Sequence, residues 1–293
     1  MSSAVAVGER PAAVASWRDV VSLLKLRIGA LITATSVAAA LAAGQHDPPR
    51  LVVLAAAALL SSSGASALNH WLDRDIDARM ARTCTRPLPG GRIAPSVALG
   101  LGTGLVLLPF AAVRTLGIGA ALYLLAGAVT YAGVYTAWLK RRTPYSIVWG
   151  GASGSFAALA GWQTAASTLR PAPLVLAGVL FLWTPSHFWS FAIARDRDYR
   201  AAGVPTLAAV AGVERAGRAV AASAAGLVAW SLLLGAFLPW PYLALAAPSG
   251  ACFGVLAVQL ARAPSTASAW RLFKLSGVHL IAVLAGLVAA GLT

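Results

Sequence analysis

The sequence predicts an all-α polytopic membrane protein, one integral membrane domain over residues 1–293, on three observations. Hydrophobic residues make up 59% of the chain and charged residues only 11%, with a mean hydropathy of +0.75; that excludes an ordinary soluble domain. Apolar runs of about twenty residues, enough to span a bilayer, recur at 21–43, 51–72, 96–113, 116–138, 145–165, 173–194, 217–238, 241–261 and 270–291. Threading these nine alternately through a membrane puts all of the 23 Lys and Arg on one side except Arg50, Arg114 and Arg170, the bias that marks cytoplasmic loops. The expectation is a multi-pass protein of the cell membrane with residues 1–20 as a cytoplasmic tail and the C-terminus on the opposite side. The tail lacks the layout of a signal peptide. The net charge of +14 suits an anionic lipid bilayer surface and an anionic substrate. No nucleic-acid motif accompanies it, so no nucleic acid is expected as a partner.

The first span starts after Trp17 and carries Lys25 and Arg27 in its opening turns, where snorkelling to the headgroups is expected. The second runs into NHWLDRDIDARMARTCTRPLPGGR, residues 69–92, which holds three Asp and five Arg. Asn69, Asp73 and Asp77 lie four apart, so at about 100° per residue successive members drift by roughly 40° and share a helix face. Two carboxylates and an amide are hard oxygen ligands of the kind Mg²⁺ takes alongside water and phosphate oxygens. Asp75 points off that face, with Arg74 and Arg79 as expected partners. Arg82 and Arg86, again four apart, precede Pro87 and Pro89 and offer guanidinium forks to a phosphate. A solvated, salt-bridged loop could hold the same charges; the register and its continuation from an apolar helix at the membrane edge favour a Mg²⁺–diphosphate site.

In the third and fourth spans Gly100, Gly102, Gly104, Gly127 and Gly133 permit close helix approach. The fourth ends on Tyr131, Tyr135, Thr136, Trp138 and then Lys140, Arg141 and Arg142. These cations serve either as the positive-inside signal or, at Lys140 and Arg141, as diphosphate ligands. The fifth span, rich in small residues, suits tight packing or a flat ligand. The sixth contains LWTPSHFWSFAIARDRDYR. There His187, among Trp183, Phe188, Trp189 and Phe191, is either a hydrogen-bonded structural residue or a ligand. Asp196, Asp198 and Tyr199 come next, near the cytoplasmic end, as a second metal or phosphate half-site, or as a solvated helix end. The second and sixth spans suggest a weak duplication, each presenting a charged loop to one face. The last three spans read as lipid-facing scaffold, and Cys84 and Cys252 fit no metal or disulfide spacing.

The blocks NHWLDRDIDARMARTCTRPLPGGRI, YTAWLKRRTPYSIVWGG and LWTPSHFWSFAIARDRDYRAAGVPTL resemble, in order and over nearly the whole chain, the protoheme IX farnesyltransferase family, within the UbiA-type intramembrane prenyltransferases. That resemblance implies nine transmembrane helices around a central cavity in a UbiA-type prenyltransferase fold. It also implies Mg²⁺-dependent transfer of a farnesyl group from farnesyl diphosphate to the vinyl group of haem B, giving haem O. Asn69, Asp73 and Asp77 would then hold Mg²⁺, and Arg82, Arg86 and Lys140 the diphosphate; His187, with Trp183 and Trp189, would meet the haem. Arg195 and Tyr199 stand where many of these enzymes carry a second Asp pair. A haem A synthase or an oxidase assembly factor is the implied partner. The rivals are an aromatic or quinone-precursor acceptor on the same scaffold, or a carrier of haem or isoprenoid without chemistry.

Overall fold

The computed structural model describes residues 15–166 and 171–293; Arg10 and Arg170, assigned above to the tail and to an outer loop, lie outside the described residues. Every regular element among the described residues is helical. In order they are α1 (Trp17–Leu24), α2 (Leu26–Ala42), α3 (Pro48–Arg79), α4 (Pro95–Leu107), α5 (Val113–Leu116), α6 (Ile118–Val129), α7 (Ser146–Gly150), α8 (Ala152–Gln163), α9 (Pro171–Ala194), α10 (Asp196–Ala201), α11 (Leu207–Ala211), α12 (Val213–Leu234), α13 (Pro241–Arg262) and α14 (Thr266–Gly291). A 3₁₀ turn, Leu108–Ala112, joins α4 to α5, and a π-helical stretch, Thr130–Leu139, continues α6.

Seven of these helical segments are long and apolar enough to cross a membrane, or eight if the bent α1–α2 pair is one span. The expected count of nine is one or two more than the described residues show by length and composition. The fifth expected span is split at Gly151 into pieces of 5 and 12 residues and is not among them. The first is broken at Lys25, the one non-glycine residue with positive φ (44°) among those described, which turns α1 from α2 by 44°. Residues 17–20, expected in the tail, already form α1, whose start is fixed by a capping box between Ser16 and Asp19.

α3 carries the expected apolar span 51–72 on through the four-residue register. Its 32 residues make a rod of about 48 Å, against a hydrocarbon core of about 30 Å. Its final turns carry the Asn-x-x-x-Asp-x-x-x-Asp register. α3 packs on α2, α4 and the π-helical stretch; α9 packs on α8, α12 and α14; α2 touches α3, α8 and α14 and so joins the two groups.

Close helix approach is paid for with glycine, at fewer of the expected positions. Gly102 meets α3 against Leu68 and Gly64, and Gly127 faces Ser153 and Phe156 of α8, whereas Gly100 and Gly104 look onto open space and Gly133 has only Val129 nearby. The tightest crossing lies elsewhere: at Gly161 a Cβ would sit 1.9 Å from the carbonyl oxygen of Ser36. The last three helices are also less bland than expected. His279 is buried between them, hydrogen-bonded to Ser249 and stacked on Phe253.

Candidate active site

Asn69, Asp73 and Asp77 are all buried at the end of α3, on one face. The Asn69 amide donates to Asp73 Oδ2 at 2.8 Å and to Thr136 Oγ1 at 3.0 Å, while its oxygen accepts from Lys25 Nζ at 2.6 Å. Each carboxylate holds one cation: Lys140 Nζ lies 2.5 Å from Asp73 Oδ2, and Arg86 Nη1 2.7 Å from Asp77 Oδ2. The other oxygen of Asp73 is sealed from solvent without a partner, and a buried carboxylate oxygen in that condition carries a desolvation cost of about 1–3 kcal/mol or more. A hard cation would satisfy it. No group of three or more His, Cys, Asp or Glu gathers among the described residues, so the available donors are two carboxylates and an amide. They suit Mg²⁺ completed by phosphate and water oxygens, and lack the soft or imidazole ligands of zinc or copper.

Two local distortions assemble this set. In the π-helical stretch, the backbone N–H of Lys140 bonds the carbonyl of Tyr135 at 2.8 Å and the hydroxyl of Thr136 bonds that of Tyr131 at 2.8 Å, both five residues back. One extra residue per turn rotates the rest of the helix by about 100°, and Thr136 and Lys140 come to lie on Asn69 and Asp73. The second distortion is the left-handed backbone at Lys25. It turns a side chain expected to snorkel inward onto the site instead, and that expectation is corrected. After α3, Thr83 Oγ1 donates to the carbonyl of Asp77, and Arg92 ties the loop back to Asp19 of α1 at 2.8 Å.

Thr136→Val removes the acceptor that orients the Asn69 amide. Removing such an outer support typically costs 10–100-fold, so we expect diphosphate release to slow by about 10-fold, with the elution profile of the purified protein unchanged.

Not every expected residue gathers here. Arg141 forms a bidentate pair with Asp75 (2.6 and 2.7 Å) and bonds the Leu72 carbonyl on the exposed side of α3. The Asp75 hydrogen bonds raise its guanidinium pKa, and the expected Asp75 partners Arg74 and Arg79 are replaced by it. Arg82 lies over the Phe191 ring at 5.6 Å rather than on a carboxylate.

Phe191 belongs to a second cluster, where α9 meets α14. His187 stacks on Trp183 (4.2 Å) and lies tilted against Phe273 (4.4 Å), and Phe273 continues to Phe191 at 5.1 Å. Trp189 is not in this stack; it is buried in the main core. Asp196 is held by Arg200 at 2.6 Å. Tyr199 packs with Ile76 and Met80 of the α3 end and edge-on to Phe188 and Phe191. Burial pushes its phenol up to about 12. The second half-site is thus split, with Tyr199 turned toward the α3 end and Asp196 engaged by its own helix.

A cavity of about 100 Å³ opens between α2, α3, α6 and α8. Ile28, Ile32, Ser62, Ser66, Tyr123 and Tyr131 are among its lining, and Ser66 is one helical turn from Asn69.

A profile of the UbiA prenyltransferase family matches residues 30–281. The chain is 42% identical over 277 residues to protoheme IX farnesyltransferase 2 of Paramagnetospirillum magneticum, covering 92% of this chain and 96% of that one. It is 37% identical to protoheme IX farnesyltransferase of Roseiflexus castenholzii over 92% of its own length, and there it spans about half (52%) of the relative. Among solved structures, a UbiA homologue from Aeropyrum pernix K1 superposes with a TM-score of 0.72 at 21% identity, covering 92% of this chain and 98% of that one. A homologue from Archaeoglobus fulgidus bound to DMAPP and Mg²⁺ superposes at 0.70 with 14% identity, covering 92% and 99%. With a family profile matched from α2 to α14 and an Asn-x-x-x-Asp-x-x-x-Asp face at the membrane edge, the chain belongs to the UbiA prenyltransferase family.

Proposed function

We propose that the protein transfers the farnesyl group of farnesyl diphosphate to the vinyl group of haem B in a Mg²⁺-dependent reaction that yields haem O. The observation that carries this reading is the pair of cation-held carboxylates, one with an unpartnered oxygen, beside an apolar cavity. The acceptor is supported by the names of the relatives and by the aromatic stack around His187. Asn69, Asp73 and Asp77 would hold Mg²⁺, which when bound supplies positive charge to the departing diphosphate.

Lys140 and Arg86 sit on the carboxylates in the resting protein and transfer to the diphosphate oxygens as substrate arrives, where their charge is worth most as the C1–O bond breaks. Arg82, which lies over a ring face and donates to Met80 Sδ rather than to a carboxylate, is placed to join them. The cavity beyond Ser66 takes the isoprenoid chain and fixes C1 at the α3 end. The farnesyl cation then accepts the vinyl π electrons, forming the new C–C bond. Water adds to the resulting carbon next to the porphyrin and loses a proton, leaving a hydroxyethylfarnesyl side chain. The apolar lining and the aromatic rings keep other water from quenching the first cation. The N-terminus and the site loops are assigned to the cytoplasmic side by the Lys and Arg bias.

The test is a membrane assay with haem B, farnesyl diphosphate and Mg²⁺, with the extracted haem resolved by mass spectrometry. Hydroxyethylfarnesyl haem formed only with Mg²⁺ supports the reading; diphosphate release with unchanged haem moves the acceptor to an aromatic or quinone precursor. In the same assay Ser62→Phe, which fills the cavity, is expected to raise KM for farnesyl diphosphate about 10-fold, as ~1.4 kcal/mol of lost chain burial would give. Its effect on the five-carbon dimethylallyl diphosphate should be small.

A further inference from the structure

Three aromatic side chains meet where the end of α9 faces the start of α14, and cations bound them on two sides. Phe273 lies 5.1 Å from Phe191 and 5.1 Å from Trp270, and Phe191 lies 6.1 Å from Trp270, centroid to centroid. All three are only half-buried, so ring surface is left for a ligand. Arg82, in the loop that follows the carboxylate register, stands over the Phe191 corner at 5.6 Å. At the Trp270 corner, Arg195, which follows α9, and Lys274, one turn after Trp270 in α14, lie over the same indole at 5.4 and 5.9 Å. Both are exposed, and among the described residues neither is paired with a carboxylate. The cytoplasmic charge bias accounts for cations at this end of the helices, but not for two of them on one ring. Like charges gathered there repel. The ring face offsets part of that repulsion, and a pair of anionic groups would offset more, since each cation forms its strongest hydrogen bonds with an ionised oxygen.

We infer that Arg195 and Lys274 bind the two carboxylates of the acceptor, and that this pair decides both which acceptor is taken and which way round it lies. Haem B is a flat, largely apolar ring with its vinyl groups along one side and two propionates along the other. The three-ring cluster has the same polarity: Arg82 and the diphosphate site at the Phe191 corner, the cation pair at the Trp270 corner. With its propionates on Arg195 and Lys274, the macrocycle turns its vinyl side toward the carbon that loses diphosphate. The reverse placement sets carboxylates against diphosphate, like charge against like, and leaves both cations unanswered. An acceptor that lacks carboxylates forfeits the same contacts. The two residues bind and orient, and carry no bond-making step. The inference deepens the proposed acceptor and rests on it.

The experiment compares haem B with its dimethyl ester, in which both propionates are methylated, as acceptors for the purified full chain in detergent with farnesyl diphosphate and Mg²⁺, the products being read by mass spectrometry. We expect the wild type to show a KM for the ester about 10-fold above that for haem B, the scale that two exposed charge pairs reach together, with kcat little changed. In the double variant Arg195→Gln, Lys274→Gln the two KM values should converge on the ester's value, and Arg195→Lys with Lys274→Arg should return the preference. Equal KM values in the wild type overturn the inference while leaving haem as the acceptor. A preference kept in the double variant places the carboxylates elsewhere and overturns it too, as does an equal loss on both acceptors, the mark of a structural role. An effect of the double variant seen only in vesicles containing anionic phospholipid, and absent in detergent, assigns the pair to lipid headgroups instead. Diphosphate released with neither acceptor modified overturns the acceptor and the carboxylate site together.

Discussion

Asp73→Asn and Asp77→Asn each reduce farnesyl transfer by about 10³-fold, the scale seen when a group that stabilises the departing charge is lost, while leaving the protein folded. Asparagine keeps the volume and an acceptor oxygen for Lys140 or Arg86, so the substitution takes away charge with little change in packing. Diphosphate release and haem modification, measured separately, should fall together, because both depend on ionising the same C–O bond. Asp73 should be the more sensitive of the two, since unlike Asp77 it combines a paired oxygen with a sealed, unpartnered one. Full turnover in both variants, in protein that elutes and melts as the wild type does, would sink the mechanism.

Gly161→Val is expected to have the largest effect on stability. The added Cβ would lie 1.9 Å from the Ser36 carbonyl oxygen and within 3 Å of two more backbone atoms of α2, so no side-chain rotation relieves it. The two helices are also tied at that crossing by Ser36 Oγ donating to the Ala157 carbonyl at 2.7 Å, a bond that would be stretched by any separation. Overpacking of this kind costs about 3 kcal/mol or more, which for a chain of this size corresponds to a fall of roughly 10 °C in the melting midpoint. Gly104→Val is the control. A Cβ there meets nothing within 4 Å, and its midpoint should stay close to that of the wild type. Equal midpoints for the two variants would mean that the α2–α8 crossing is not a tight one.

How much of this was legible in the sequence depends on the range of the forces involved. Apolar run length and the four-residue register act locally, so the helices and the Asn69, Asp73, Asp77 face were legible. The count of nine runs one or two above the long apolar helices of the described residues because a single residue breaks a helix at Gly151 and at Lys25, whose left-handed backbone no periodicity announces. The same break hid the role of Lys25, because a lysine near a membrane surface ordinarily turns outward. Thr136 was missed because its place depends on the π register rather than on its neighbours. Arg141 was assigned to the diphosphate because its partner, Asp75, lies 66 residues away and is chosen by packing between helices. His187 stood out as a lone histidine among aromatics, but its hydrogen-bond partner is Ser276, 89 residues away, which nothing in the sequence links to it.

The cations already seated on Asp73 and Asp77 have a consequence for the order of events. A bare metal ion reaching the empty protein finds carboxylates whose charge is spoken for by Lys140 and Arg86, and gains little by displacing them. A metal that arrives together with a diphosphate brings the anion to which those two side chains can move. On the proposed reading, metal would therefore be taken up chiefly together with the isoprenoid diphosphate, an admission rule written in counter-ions rather than in a lid.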